Sequence, residues 1–117
     1  MSGERSWIGV DLDGTLAVRT REDIDYAIIG PPVPRMTERV AQWLCKGKDV
    51  RIFTARVNVA SEFEELYQRK LINEWCQRVF GRKLETTSRK DGHMLQLWDD
   101  RAVGIIRNTG ERADGKP

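Results

Sequence analysis

The chain has 117 residues, which is enough for one domain with a single core and too few for two. Hydrophobic residues make up 39% and charged residues 32% of the sequence, a balance that argues against an intrinsically disordered chain. The net charge of +2, from 20 basic and 18 acidic side chains, is too small to indicate a nucleic-acid or membrane-surface protein by itself.

The first predicted element is a buried strand over residues 7–10 (WIGV), an apolar run that ends abruptly at Asp11. Gly14 supplies the turn that follows it. Residues 17–34 are polar and then proline-rich, and they predict a long connection of the kind that often carries function. Within it, Tyr26, Ala27, Ile28 and Ile29 could form a short hairpin or the wall of a pocket.

Two helices and a second strand follow. Apolar residues at helical spacing predict a helix that begins at Pro34 and stops at Gly47. Residues 50–53 predict a strand that leads into Thr54. A long amphipathic helix is expected over residues 59–80, with Gly81 after it. Its expected apolar stripe consists of Phe63, Leu66, Tyr67, Leu71, Trp75 and Val79.

Three further strands are predicted in the last third of the chain, at residues 83–87, 95–98 and 102–106. Strands that alternate with helices indicate a mostly parallel sheet, here of five strands. We therefore expect one α/β domain over residues 1–108. Residues 109–117 are small and polar and predict a flexible C-terminal tail.

Carboxylates stand at the ends of two predicted strands: Asp11 and Asp13 after the first, and Asp99 and Asp100 after the strand at 95–98. The carboxyl ends of parallel strands share one edge of a sheet, where ligands bind. Four carboxylates at one edge repel each other, and a divalent cation relieves the repulsion. Oxygen ligands in a small site favour Mg²⁺.

Thr54 is expected on the same edge, where its hydroxyl and the backbone N–H groups of Ala55 and Arg56 could hold a phosphate oxygen. Lys90 or Arg89 could supply the positive charge that phosphoryl transfer needs. Arg56 and Arg101, which directly follow the two edge motifs, could either touch a substrate phosphate or pair with the surplus carboxylates.

These motifs resemble those of the haloacid dehalogenase superfamily of phosphohydrolases. Residues 10–16 (VDLDGTL) look like its first signature, residues 52–56 (IFTAR) like its second and residues 97–100 (LWDD) like its fourth, in the family's order. The resemblance implies a three-layer, Rossmann-like domain with helices on both faces of the sheet. It also implies phosphate chemistry, because dehalogenating members lack the second aspartate of the first motif.

The resemblance implies a role for each matching residue. Asp11 would attack phosphorus and form an aspartyl-phosphate, while Asp13 would act as general acid and then base. Gly14 would let the chain turn so that Asp13 faces Asp11, beside the bound phosphate. Thr54 would bind the transferring phosphoryl group. Mg²⁺ would be held by Asp11, the backbone carbonyl of Asp13, Asp99, and Asp100 directly or through water.

The third signature of the family is a lysine, for which Lys90 is the first choice and Lys83 the alternative. Lys90 stands only nine positions before Asp99, a gap too short for a full helix and a strand, so a compressed turn at His93 and Met94 is expected. His93, the single histidine, is interpreted as structural or substrate-adjacent.

Neither place where family members carry a cap domain has room for one here. An uncapped site is open, so it would accept a bulky phosphorylated substrate or borrow a wall from another subunit of a homo-oligomer. The expected specificity surface consists of Tyr26, Ile28, Ile29 and residues 31–34. Two alternatives stay open: a catalytically silent binding module, and a nucleic-acid end-processing phosphatase whose basic stripe would draw on Arg19, Arg21, Arg35, Arg89 and Arg107.

We expect neither a membrane helix nor an export signal from the sequence. No run approaches the roughly 20 apolar residues that a membrane helix needs, and residues 1–6 carry no apolar stretch. Cys45 and Cys76 lie in apolar helical patterns without zinc-ligand spacing, which predicts two buried thiols of a reduced protein. We therefore expect a cytoplasmic location.

Overall fold

A computed structural model describes residues 6–19 and 25–117, so Arg21 lies outside the described residues. The chain forms an α/β fold built on one all-parallel, four-stranded sheet in the order β3-β2-β1-β4. The elements are β1 (Trp7–Asp11), α1 (Pro34–Cys45), β2 (Asp49–Phe53), a 3₁₀ turn (Ala55–Val57), α2 (Glu62–Phe80), β3 (Thr86–Thr87) and β4 (Met94–Trp98). The α/β class and the parallel sheet predicted from the sequence are confirmed.

Both α-helices pack on the same face of the sheet, so the prediction of helices on both faces is wrong for the described residues. Alternate residues of the central strands, such as Val10 and Ile52, form one core cluster with Val40 of α1 and Ile72 of α2. The strand order explains this placement. The steps from β1 to β2 and from β2 to β3 run in the same direction, and right-handed crossovers then put both helices on one side.

The second face of the sheet is crossed by an irregular connection instead of a helix. Residues 88–93 lead from β3 at one edge of the sheet to β4 at the other. On the way, Asp91 accepts a hydrogen bond from the Trp7 indole at 2.9 Å and lies 4.0 Å from the Arg51 guanidinium, which stacks on the same indole. Met94 N donates to the Asp91 carbonyl at 3.3 Å, which closes a turn where the compressed turn was expected.

Local chemistry sets the ends of both helices. Pro34 stands in the first turn of α1, where its missing N–H costs nothing. The Ser61 hydroxyl accepts from Glu64 N at the start of α2, and Gly81 ends that helix with a φ of 72°. These bounds agree with the prediction within a few residues.

The N-terminal half of α2 does not bury its expected apolar stripe. Phe63 is 80% exposed, and Leu66 and Tyr67 are also exposed, whereas Ile72 and Trp75 in the C-terminal half are buried. In the N-terminal half of α2 the side chain that faces inward is a polar one, Gln68. Gln68 is completely buried because it hydrogen-bonds to Arg56 and to the Tyr26 carbonyl.

Residues 102–106 are not a fifth strand of the sheet. They are exposed, and Ile105 forms only an isolated antiparallel bridge with Arg112. The predicted tail therefore folds back on this segment, since Ile106 N donates to the Glu111 carbonyl and Ala113 N to the Gly104 carbonyl. An apolar run becomes a strand only where a sheet edge offers it hydrogen bonds.

None of the helices in the described part of the chain combines the length and apolarity required to span a bilayer. Both cysteines are free thiols. Cys76 is buried as predicted, and burial raises the pKa of its thiol to about 11. Cys45 is exposed, which corrects the expectation of two buried thiols.

Candidate active site

The carboxyl ends of three neighbouring strands meet at one edge of the sheet. Asp11 ends β1 and stands in register with Phe53 of β2, so Thr54 follows on the adjacent strand. On the other side of β1, Trp98 pairs with Val10, which brings Asp99 and Asp100 to the same edge. The parallel register, rather than any single turn, brings these residues together.

Three carboxylates form a cluster there. One oxygen from each of Asp11, Asp99 and Asp100 lies within 4.8 Å of the other two. Thr15, to which sequence analysis assigned no role, ties the cluster together. Its hydroxyl donates toward Asp11 Oδ2 at 3.3 Å and accepts from Asp100 N at 3.1 Å. The donor set consists of oxygen atoms alone, which suits a hard divalent cation such as Mg²⁺.

The close approach of the three carboxylates affects the pKa of Asp11. Partial burial, a hydrogen bond with Asp100 and the charges of Asp99 and Asp100 raise the pKa of Asp11 to about 7, against a smaller lowering contribution from Thr15. A carboxylate held in this way is costly in its ionised form without a compensating positive charge. The residues present therefore fit a divalent cation chemically as well as geometrically.

Gly14, in the turn after β1, lies directly against the Asp100 carboxylate. Its φ is +92°, a conformation that side-chain-bearing residues rarely adopt, and a Cβ built there would lie 2.6 Å from Asp100 Oδ2. A glycine is needed at this position for two independent reasons, one in the backbone and one in the packing.

We expect Gly14→Ala to impair the site more than the fold. The methyl group must displace the Asp100 carboxylate, so Mg²⁺ affinity measured by calorimetry should fall at least about tenfold. Gly110→Ala is the matched control, because Gly110 also has a positive φ, +74°, but a Cβ added there would meet no neighbouring atom within 4 Å. Equal losses of affinity in the two variants would contradict this assignment.

Asp13 is engaged by an arginine rather than by the cluster. Both of its carboxylate oxygens accept from Arg56, at 2.8 Å from Nε and 2.9 Å from the terminal nitrogen. The Arg56 side chain is 2% exposed and that of Asp13 11%. Of the two roles left open for Arg56, the structure shows pairing with a surplus carboxylate.

Arg56 also holds the segment that flanks the site. Its guanidinium donates to the carbonyls of Ile28 at 2.8 Å and of Tyr26 at 3.3 Å, and it stacks under the Tyr26 ring at 5.5 Å. Gln68 joins the network by accepting from Arg56 and donating to the Tyr26 carbonyl. The side chains of Tyr26 and Ile28 remain exposed, so this segment forms a wall beside Asp13.

The base of this wall is pinned to the turn after β1. Ala17 forms an antiparallel bridge with Pro32, and Val18 N donates to the Pro31 carbonyl at 2.8 Å. On the side of the helices, the Trp75 indole donates to the Gly30 carbonyl at 2.9 Å. Of the two sequence alternatives for residues 26–29, hairpin and pocket wall, the structure shows the wall, and the antiparallel bridge lies outside them, at Ala17 and Pro32.

Thr54 is buried, and its hydroxyl accepts from Arg56 N at 3.2 Å, which starts the 3₁₀ turn. Lys90 is exposed on the connection that crosses the second face. Lys83 lines a cavity with Lys48 and Asp49, at the amino end of β2 and so at the opposite end of the sheet from Asp11. Lys83 also lines the neighbouring cavity that contains Thr87.

The other basic and imidazole side chains singled out from the sequence are dispersed. His93 lies exposed in the turn before β4, and Arg101 follows Asp99, whose carboxylate accepts from Arg101 N at 2.7 Å. Arg89 N is held by the Thr87 hydroxyl. Gln68 and Thr15 are the site residues that sequence reasoning missed. The sequence feature that could have indicated a buried role for Gln68 is its position, as a polar residue, on the face of α2 expected to pack inward.

Comparison with known proteins yields a structural similarity. The chain is similar to the structure of a conserved protein coded by a locus of Bacteroides thetaiotaomicron, with a TM-score of 0.55 and 24% sequence identity over 88% of this chain and 82% of the other. At this identity the likeness concerns the fold. No protein-family profile and no curated protein sequence matches the chain.

Proposed function

We propose that the chain is a Mg²⁺-dependent phosphomonoester hydrolase of the haloacid dehalogenase superfamily, with Asp11 as covalent nucleophile. The observation that carries the proposal is the cluster of Asp11, Asp99 and Asp100, whose oxygens approach within 4.8 Å at the carboxyl edge of a parallel sheet. Thr54 on the neighbouring strand and Gly14 in the turn below the cluster add to its support.

Asp11, Asp99 and Asp100 would hold the ion, with the backbone carbonyl of Asp13 as a further ligand. When bound, Mg²⁺ supplies charge neutralisation at the phosphate oxygens. Asp11 is half-buried at the end of β1, and the Thr15 hydroxyl orients it. A carboxylate so positioned is pre-aligned for in-line attack, which removes part of the entropic cost of the reaction.

In the first proposed step, an Asp11 oxygen forms a bond to phosphorus while the bond to the substrate's leaving oxygen breaks. Asp13 donates a proton to that leaving oxygen, which departs as an alcohol. In the second step, Asp13 takes a proton from a water molecule whose oxygen attacks the aspartyl-phosphate. Inorganic phosphate leaves and Asp11 is regenerated.

The Arg56 pair constrains this role of Asp13. Both carboxylate oxygens are engaged, so one N–H···O bond must break before Asp13 can carry a proton to or from the reacting oxygen. We propose that substrate binding loosens this bond. The same pair keeps the Asp13 carboxylate out of the carboxylate cluster. The proposed acid-base group is thereby separate from the side chains that would hold the metal.

The Thr54 hydroxyl and the Ala55 backbone N–H are the proposed donors to the phosphoryl group, with Lys90 as the cation. Arg56 is left out of the substrate-binding set because its guanidinium already serves Asp13 and backbone carbonyls. Tyr26 and Ile28, exposed on the wall beside Asp13, would contact the organic part of the substrate. We propose a bulky phosphorylated substrate in the cytoplasm, where free thiols persist.

The direct test is hydrolysis of p-nitrophenyl phosphate by the purified protein. We expect phosphate release with Mg²⁺, loss of release in EDTA and recovery when Mg²⁺ is restored, together with a higher melting temperature in Mg²⁺. Asp99→Asn with Asp100→Asn should remove both effects. Asp114→Asn, an exposed carboxylate outside the site, should retain them. Hydrolysis that persists in EDTA would contradict the metal assignment.

A further inference from the structure

Three adjoining cavities lie along the outer side of β3, and Lys83 lines all of them. Their volumes are about 560, 740 and 400 Å³. The first cavity shares lining residues with each of the other two, and we call the three together the β3 groove. Its upper end contains Thr87, whose carbonyl accepts from Thr54 N at 2.9 Å, and its lower end contains Lys48, just before β2.

The β3 groove concentrates positive charge. Seven of the chain's 20 basic side chains line it, against three of its 18 carboxylates. The basic side chains are Lys48, Arg51, Arg69, Lys70, Arg78, Arg82 and Lys83, and the acidic ones are Asp49, Glu74 and Glu85. A chain with a net charge of +2 therefore carries its positive excess on this one side.

The basic residues fall into two groups. Arg51 and Arg69 are held in place, the first by Asp49 and Glu85, the second by Glu65 and the Thr86 carbonyl. The other five, Lys48, Lys70, Arg78, Arg82 and Lys83, are exposed, and no carboxylate among residues 6–19 and 25–117 forms an ion pair with them. Their charges are available to an external polyanion.

The uncharged side chains in the groove suit the same kind of ligand. Asn73, Gln77 and Thr87 offer amide and hydroxyl hydrogen-bond donors next to the cations, whereas the buried Thr86 hydroxyl donates to the Leu84 carbonyl. Amide, hydroxyl and basic groups together are the set that contacts phosphate and sugar in nucleic-acid complexes. Phe, Tyr and Trp are missing from the lining of the three cavities, so base stacking contributes little there.

We propose that the β3 groove binds the sugar-phosphate backbone of a nucleic acid, without base preference. Of the apolar side chains that line the groove, Leu66 is exposed, Leu44 is partly buried, and Val50 and Leu84 are buried. A membrane-surface element instead inserts a broad apolar face. Binding along the groove needs neither Mg²⁺ nor turnover, so this inference stands apart from the proposed hydrolase activity. If that activity also holds, the groove leads a strand end toward the carboxylate cluster.

The test is fluorescence anisotropy with a labelled, unphosphorylated 12-nucleotide DNA in EDTA. We expect binding whose logarithmic affinity falls with the logarithm of salt concentration at a slope of about −2 to −3, as for three or four phosphate contacts on a single strand. Oligo(dT) and mixed-sequence DNA should bind alike. Arg82→Glu with Lys83→Glu should weaken binding at least about tenfold and flatten the slope.

Arg107→Glu with Lys116→Glu is the matched control, since it changes net charge equally at exposed positions outside the groove. Equal weakening in both double variants would overturn the proposal, because net charge would then account for the binding. Equal or tighter binding of polyglutamate, or of vesicles with phosphatidylserine, would overturn it as well, as would no binding at 50 mM salt. Loss of hydrolysis with retained binding would count against the proposed function alone.

Discussion

Asp11→Asn is expected to reduce phosphate release from p-nitrophenyl phosphate at least about a thousandfold, since the proposed covalent intermediate forms on the Asp11 carboxylate. The fold should be retained. Asp11 lies within 4.8 Å of Asp99 and Asp100 at one oxygen each, so removing its charge relieves repulsion. We therefore expect an unchanged or higher melting temperature in the absence of metal, measured by differential scanning fluorimetry.

The pairing of lost activity with retained stability separates a nucleophile from a structural carboxylate. Asp114→Asn, which removes an exposed carboxylate that pairs with Arg112, should keep both properties. A beryllofluoride adduct located by crystallography should rest on Asp11. Full activity of Asp11→Asn, or an adduct on another residue, would rule out the nucleophile assignment.

Arg56→Met is expected to destabilise the protein by about 3–5 kcal/mol, the cost of leaving a buried partner charge uncompensated. The substitution keeps much of the side-chain volume but strands the Asp13 carboxylate and the carbonyls of Tyr26 and Ile28. Chemical denaturation with urea measures the free energy of unfolding directly. Arg112→Met is the matched control, because the Arg112–Asp114 pair is exposed and should contribute at most about 1 kcal/mol.

A double-mutant cycle tests the same pair more sharply. Asp13→Asn removes the carboxylate charge, so the combined variant with Arg56→Met should be more stable than the two single effects added together predict. Arg56→Lys should be intermediate, because an ammonium keeps the charge but loses the planar fork that both oxygens of Asp13 use. Additive effects, or a loss no larger than that of Arg112→Met, would show that the pair is not the centre of this network.

Much of the fold followed from local patterns. The apolar run that ends at Asp11 and the proline at the start of α1 are features of a few adjacent residues, and the structure has both elements where they were predicted. The glycine after α2 likewise adopts the left-handed conformation that ends a helix. Such features depend on backbone sterics and on periodicity, which act within a few residues of the chain.

The fifth strand and the second helical layer could not be decided in this way. Residues 102–106 have the apolar composition of a strand, but a strand also needs a partner edge, and they pair with residues 111–113 instead. The short connection at residues 88–93 has no room for the helix that would cover the second face. Leu95, 63% exposed, lies where the register between β1 and β4 shifts and is left without a partner on β1.

The sequence by itself determined that Asp11, Thr54, Asp99 and Asp100 stand at strand ends, and the parallel sheet then brings them to one edge. Only the tertiary structure decided what each of the aspartates does there. Asp13, two positions from Asp11, is turned away from the cluster by an arginine 43 residues further along the chain. In the folded protein a carboxylate pairs with the opposite charge that lies nearest to it in space. Tertiary packing, rather than separation along the sequence, sets the distance between the two charges.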